Sequence, residues 1–146
     1  MATKEESIID AIITEIGNIS TENGFSFDIG SNYADWRDTE LDDSELPFIN
    51  VREIEDRIIE DDEHEHILFV DIDLMVAGSA TAAKDARNKK QDILTAMNNF
   101  YSNNISSLIA GIRYGGSIYI TEHEIKKFTG VTLNFQITYY EDFLEV

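Results

Sequence analysis

Cysteine is absent from this 146-residue chain. No disulfide, zinc–thiolate centre or cysteine nucleophile can be built from it, and its absence is compatible with a reducing compartment. Proline occurs once, at Pro47, and there is no Gly-, Pro- or Ser-rich linker, internal repeat or heptad array. These absences predict a single domain over residues 1–146. At that length roughly 70% of the unfolded chain's surface can be buried without covalent staples. No apolar run approaches the roughly 20 residues of a membrane-spanning helix. The opening Met-Ala-Thr-Lys-Glu-Glu lacks the basic-then-apolar order of a signal peptide, so no membrane partner is expected.

Basic residues are also scarce: 11 against 29 acids, for a net charge of −18. The excess is local. Residues 35–65 hold fourteen acids and three bases, whereas four of the bases cluster at Lys84, Arg87, Lys89 and Lys90. Binding a DNA backbone requires many Lys and Arg contacts to phosphate, so this chain is expected to repel DNA. The segregated charge fits two unrelated solvated faces, or two opposite patches that meet across a subunit contact.

Residues 3–16 have the pattern of an amphipathic helix. Thr3 and Glu6 have capping-box spacing, Ile8, Ile9, Ile12, Ile13 and Ile16 form one stripe, and Gly17 is placed to end it. Phe25-Ser-Phe-Asp-Ile29 suggests a short strand, followed by an irregular acidic stretch holding Tyr33 and Trp36. Leu46-Pro47-Phe48-Ile49-Asn50-Val51 predicts a strand with proline at its start, where a missing N–H does least harm. The acid-dense 53–65 segment, with Glu60, Asp61, Asp62 and Glu63 at its tip, is expected to be a mobile loop or hairpin end.

Residues 65–77 form the clearest strand, with Leu68, Val70, Ile72, Leu74 and Val76 directed to the core. A second helix is expected over 80–101. Its buried stripe comprises Ala82, Ala83, Ala86, Ile93, Leu94, Met97, Phe100 and Tyr101, and Asp85 and Lys89 are spaced to pair. Ile112–Tyr114 and Ser117–Ile120 suggest two strands joined at Gly115-Gly116. Val131, Leu133, Phe135, Ile137 and Tyr139 mark the last strand. The predicted fold class is α+β: a single, mainly antiparallel or mixed β-sheet with two helices packed on one face.

Three constellations could carry chemistry. His64-Glu65-His66 places two imidazoles on one side of an extended segment, but structural zinc sites need about four ligands and no second cluster matches. Asp71 and Asp73 share a strand face, and Glu124-Ile125-Lys126 resembles the acid-x-lysine end of a Mg²⁺-dependent nuclease motif. The latter, however, sits in a polar link rather than on the neighbouring strand, and the surface is too acidic for DNA. Tyr114, Tyr119, Tyr139 and Tyr140 could stack nucleobases only beside a basic groove. As strand aromatics they fit cross-strand pairs. No phosphate-binding Gly-rich loop and no G-x-S-x-G elbow occurs. No catalytic residue, metal or cofactor is expected.

The order of these segments also carries a family resemblance. An isoleucine-rich helix leads to Leu46-Pro47-Phe48-Ile49-Asn50-Val51. An alternating strand from His66 to Val76 then precedes a helix through Arg87-Asn88-Lys89-Lys90-Gln91-Asp92-Ile93-Leu94-Thr95-Ala96-Met97. The chain closes through Gly130-Val131-Thr132-Leu133-Asn134-Phe135-Gln136-Ile137-Thr138-Tyr139-Tyr140. This pattern resembles the tail terminator (tail completion) proteins of long-tailed bacteriophages, with the lambda-type minor tail protein as the type. Phe48 departs from it, standing where a small residue is common, and the acidic segment is long.

The resemblance implies a homo-oligomeric ring, a hexamer, that stacks on the tail tube protein, ends tube growth and offers a surface to head-completion or connector proteins. DNA would pass through its channel without specific binding. It places the protein in the virion, at the head–tail junction, after assembly in the bacterial cytoplasm. The interface expected on charge sets Lys84, Arg87, Lys89 and Lys90 against Glu60, Asp61, Asp62 and Glu63 of the next subunit. The rival expectations are an acidic DNA-mimic inhibitor, the metal-dependent nuclease, or another head–tail connector.

Overall fold

A computed structural model describes residues 3–37, 45–59, 62–122 and 128–141. Helix α1 spans Lys4–Gly17 and begins as its capping residue requires: the Thr3 hydroxyl accepts from the Glu6 backbone N–H at 3.1 Å. Ile8, Ile9, Ile12 and Ile16 are buried, each worth about 1.5–3 kcal/mol relative to exposure. That burial offsets the modest helix propensity of isoleucine. Helix α2 spans Ala82–Asn104 and buries Ala82, Ala86, Ile93, Ala96, Met97 and Phe100, together with Asp92. Ala83 is exposed, and Leu94 and Tyr101 are half-buried at the edge of the core.

Five strands form one mixed sheet: β1 Tyr33–Asp35, β2 Phe48–Ile59, β3 Asp62–Ala77, β4 Gly111–Glu122 and β5 Phe128–Tyr140, in spatial order β1-β2-β3-β5-β4. The β1–β2 pair is parallel and the other pairs are antiparallel. The core face of β3 carries Leu68, Val70, Ile72, Leu74 and Val76, and that of β5 carries Val131, Leu133, Phe135, Ile137 and Tyr139. These join the buried residues of both helices in one cluster. Helix α2 lies over β3 and β5, and α1 lies over β1 and β2 and against α2. The fold is therefore α+β, with a single sheet and both helices on one face.

Four local expectations differ from the structure. Residues 25–29 do not join the sheet, because their backbone has another partner. The buried Asp92 carboxylate on α2 accepts from the Ser26 and Phe27 N–H groups at 3.1 and 2.8 Å. The stretch after them is not wholly irregular: Tyr33–Asp35 pairs with Ile49–Val51 as β1. Of the two forms expected for the acid-dense 53–65 segment, it takes the hairpin end and not the loop: it is largely strand, and β2 and β3 pair as far as Ile59 and Asp62. Because β5 ends opposite Glu65, the β2–β3 hairpin projects past the sheet as an arm.

The fourth difference is at Gly115-Gly116, which does not turn the chain. The ladder passes from Tyr114↔Phe135 to Gly116↔Asn134, leaving Gly115 as the extra residue of a β-bulge in one long strand. Gly116 has φ 108, a region costly to residues with a Cβ. A Cβ at Gly115 would lie 2.5 Å from the Asn134 amide oxygen. The bulge shifts the alternation, so Ile112 and Tyr114 before it, and Ser117 and Tyr119 after it, all share the core side.

Candidate assembly surfaces

The two sides of the sheet differ in charge and in what they expose. On one side β4 is the edge, and among the described residues it pairs only with β5. A long edge strand offers a row of unused N–H and C=O groups to another chain. Tyr114, Ile118 and Tyr119 on β4 are exposed, Ile118 by 69%. Between β4 and α2 lies a groove of about 390 Å³ lined by Leu94, Met97, Tyr101, Ile112, Tyr114 and Phe135, among others.

Of the four bases on α2, Lys90 borders this edge. The Lys90 ammonium donates to the Ser117 hydroxyl at 3.3 Å and lies 5.2 Å from the Tyr119 ring centroid. Hydrogen bonding to Tyr119 raises its pKa above the ordinary lysine value. Lys89 sits 4.5 Å over the Phe27 ring rather than beside Asp85, whose carboxylate faces the Thr81 hydroxyl. Lys84 and Arg87 are exposed on the outer side of the helix.

On the opposite side β1 and β2 carry the acids. β1 covers β2 only at Ile49–Val51. From Glu53 to Ile59, among the described residues, β2 pairs only with β3. Ile54, between Glu53 and Glu55, and Ile58, after Arg57, are exposed there, and Tyr33 and Trp36 are exposed on and just after β1. Trp36 holds φ 56, an uncommon conformation for a bulky residue. Its N–H donates to the Val51 carbonyl at 2.9 Å and its ring faces the Arg52 guanidinium at 5.8 Å. The Glu53 carboxyl is pushed above its ordinary pKa by burial and by the Asp35 charge. Asp62 and Glu63 begin β3 near the arm tip, and Glu60 and Asp61 lie outside the described residues. Of the expected interface residues, the four bases share one stretch of α2, away from the arm.

The root of the arm is pinned by a group that sequence reading missed. The buried His66 ring stacks on Tyr139 at 4.7 Å. Its Nδ1 lies 3.1 Å from the Asp56 carboxylate and its Nε2 lies 3.1 Å from the Glu141 carbonyl. The Tyr139 hydroxyl donates to Asp56 at 2.9 Å, and burial followed by the Asp56 contact raises its pKa. The Glu5 carboxyl nearby is raised by burial first, then by Asp56 and Glu53. Both His66 ring nitrogens are thus engaged by protein, and the His64/His66 pair does not stand ready as a metal clamp.

The acids on the open face of the sheet are tied as well. Arg52 binds Asp73 through Nε at 2.6 Å and Nη2 at 3.1 Å, and its Nη2 reaches Asp71 at 3.6 Å. Thr132 donates to Asp73 at 2.7 Å and Asn134 to Asp71 at 2.9 Å. Asp73 in turn raises the Arg52 pKa. An arginine bridging both carboxylates occupies the space a Mg²⁺ ion would need. Glu124 and Lys126 lie outside the described residues. Among the described residues no three or more His, Asp or Glu side chains converge as metal ligands, and no helix is long and apolar enough to cross a membrane. No protein-family model and no curated protein matches the chain.

Proposed function

We propose that this protein is a structural assembly subunit, a tail terminator of a long-tailed bacteriophage. Copies of it close into a six-membered ring on the end of the tail tube, stop tube polymerisation and offer a surface for head–tail joining. It acts without catalytic residues, metal or cofactor, and resides in the virion at the head–tail junction. The observation that carries the reading is the placement of Lys90 and Arg113 at one edge of the sheet and of the acids of β1 and β2 at the other, each edge with exposed apolar side chains. Edges of that kind suit a heterologous, head-to-tail contact, which closes as a ring when its rotation allows. The tail-terminator assignment rests on the resemblance in segment order, from the isoleucine helix through Leu46–Val51 to the closing strand. In a ring around a DNA channel, strong acidity lets DNA slide without adhering.

Growing tail tubes in vitro with and without the protein tests the function. Shortened tubes, each capped by a ring under the electron microscope, are expected, whereas tubes of unchanged length refute it. The acidic DNA-mimic reading is favoured by one observation, the net charge of −18. It predicts tight 1:1 binding to a DNA-binding enzyme by a chain that forms no ring.

A further inference from the structure

The register of the sheet shows how one subunit could meet the next. Following the ladder across the strands, Arg113 on β4 shares a transverse row with Gln136, Phe69 and Glu55 on β2. Ser117, beside Lys90, shares a row with Leu133, Ile72, Val51 and Asp35 on β1. The basic residues of one edge therefore stand level with the acidic residues of the other. Within one subunit three strands separate β4 from β1, so these groups cannot meet each other there. Between subunits placed side by side they can.

Resting on the ring reading above, we infer that β4 of one copy pairs with β2 of the next, antiparallel, to make a sheet continuous across the subunit boundary. Residues 111–114 meet 53–57 of the neighbour, Arg113 faces its Glu55, and Lys90 faces its Asp35. The orientation follows from topology. β4 runs antiparallel to β2 within a subunit, and rotation about an axis along the strands preserves each strand's direction. The occupant is a second copy because its free edge supplies what the β4 edge lacks. It brings Asp35 and Glu53 against Lys90, Glu55, which its own Arg57 holds at 2.8 and 3.0 Å, against Arg113, and exposed Ile54 and Ile58 toward the groove beside Tyr114. Joining two β4 edges at Arg113 instead would set base against base. β1 stands one strand spacing, about 4.8 Å, outside β2. The bulge at Gly115–Gly116 bends β4 near that level, before Ser117 reaches β1 of the neighbour. Glu53 is partly buried beside exposed Asp35, with the Trp36 side chain as a hydrogen-bond partner, and Lys90 of the neighbour would bring a cation to this pair of acids.

The chain has no cysteine, so pairs can be introduced cleanly. The variants are Arg113→Cys, Glu55→Cys and the two combined, each treated with a short bismaleimide reagent and sized in parallel by light scattering. The combined variant is expected to give a ladder of covalent multimers, and each single variant almost none. A covalent dimer of Arg113→Cys alone overturns the inference in favour of a two-fold β4–β4 contact. Rings by light scattering without a ladder overturn it while leaving the ring reading intact. A chain that stays monomeric, with or without tail tubes, overturns both. A charge swap gives a second readout: Lys90→Glu is expected to weaken assembly at least tenfold, and adding Asp35→Lys to restore it. No restoration counts against the pairing.

Discussion

Removing the Asp92 carboxylate should cost more than any surface acid in this chain. Asp92 is 4% exposed on α2, and its two oxygens accept from the Ser26 and Phe27 N–H groups at 3.1 and 2.8 Å. Hydrogen bonds to a charged group contribute about 1.5–3 kcal/mol each. The two donors are only partly buried, so water recovers some of the loss. Asp92→Ala should therefore destabilise by about 2–4 kcal/mol. At about 2–4 °C per kcal/mol for a chain near this size, the melting temperature should fall by roughly 5–15 °C. Asp92→Asn keeps one acceptor but aims an NH₂ donor at a backbone donor, and should lose about half as much. Thermal melts followed by circular dichroism, with urea midpoints as a second measure, read the effect. An Asp92→Ala variant melting within about 1 °C of the parent would refute the idea that this carboxylate holds the 25–27 segment out of the sheet.

Gly116→Val should destabilise by about 1–3 kcal/mol, because a β-branched residue is forced to φ 108, and a lowered urea midpoint would register it. Glu5 has its pKa raised by burial and nearby acids. Its contribution is thus fully present at acid pH and is lost as pH rises through the folded-state value. Glu5→Gln should accordingly melt about 1–2 °C higher than the parent at pH 7, with the gap closing below the ordinary carboxylate range. A gap that widens on acidification contradicts that sign. Replacing Lys84, Arg87, Lys89 and Lys90 with Gln should weaken assembly most at low salt, where charges are least screened, and sedimentation across a salt series would reveal this.

Much of the fold was legible where period and chemistry agree. The Thr3 cap, the Ile8–Ile16 stripe and the alternation of β3 and β5 follow from side-chain spacing alone, and all lie where that spacing puts them. Density of charge misled the reading of β2: the acids around Ile54 looked like a loop, and the strand, buried at Phe48–Val51 and exposed from Ile54 to Ile58, has no alternation to reveal it. Gly115-Gly116 carried the signals of a turn. The alternation of Ile112, Tyr114, Ile118 and Ile120 runs on without a break in the sequence, so the bulge that turns Ser117 and Tyr119 to the core side shows only in the register. Asp92 falls beside Ile93 and four residues before Ala96, inside the buried stripe, and that position alone marks it as a polar group with an inward partner. The His66–Asp56–Tyr139 group was not legible, since it joins three strands through register that no local pattern encodes. The assembly surfaces were half legible. Composition displays the charge segregation, but only the strand order and the Lys90–Ser117 contact put Lys90 and Arg113 at the edge opposite the acids of β1 and β2.

Self-association through those edges is the claim on which the rest depends, and molar mass in solution tests it most directly. Light scattering coupled to size exclusion, on the purified chain alone and mixed with phage tail tubes at low salt, should give a mass near six times the 16.6 kDa subunit in at least one condition. That mass should fall as salt is raised. A species fixed at one subunit mass in every condition would contradict the account.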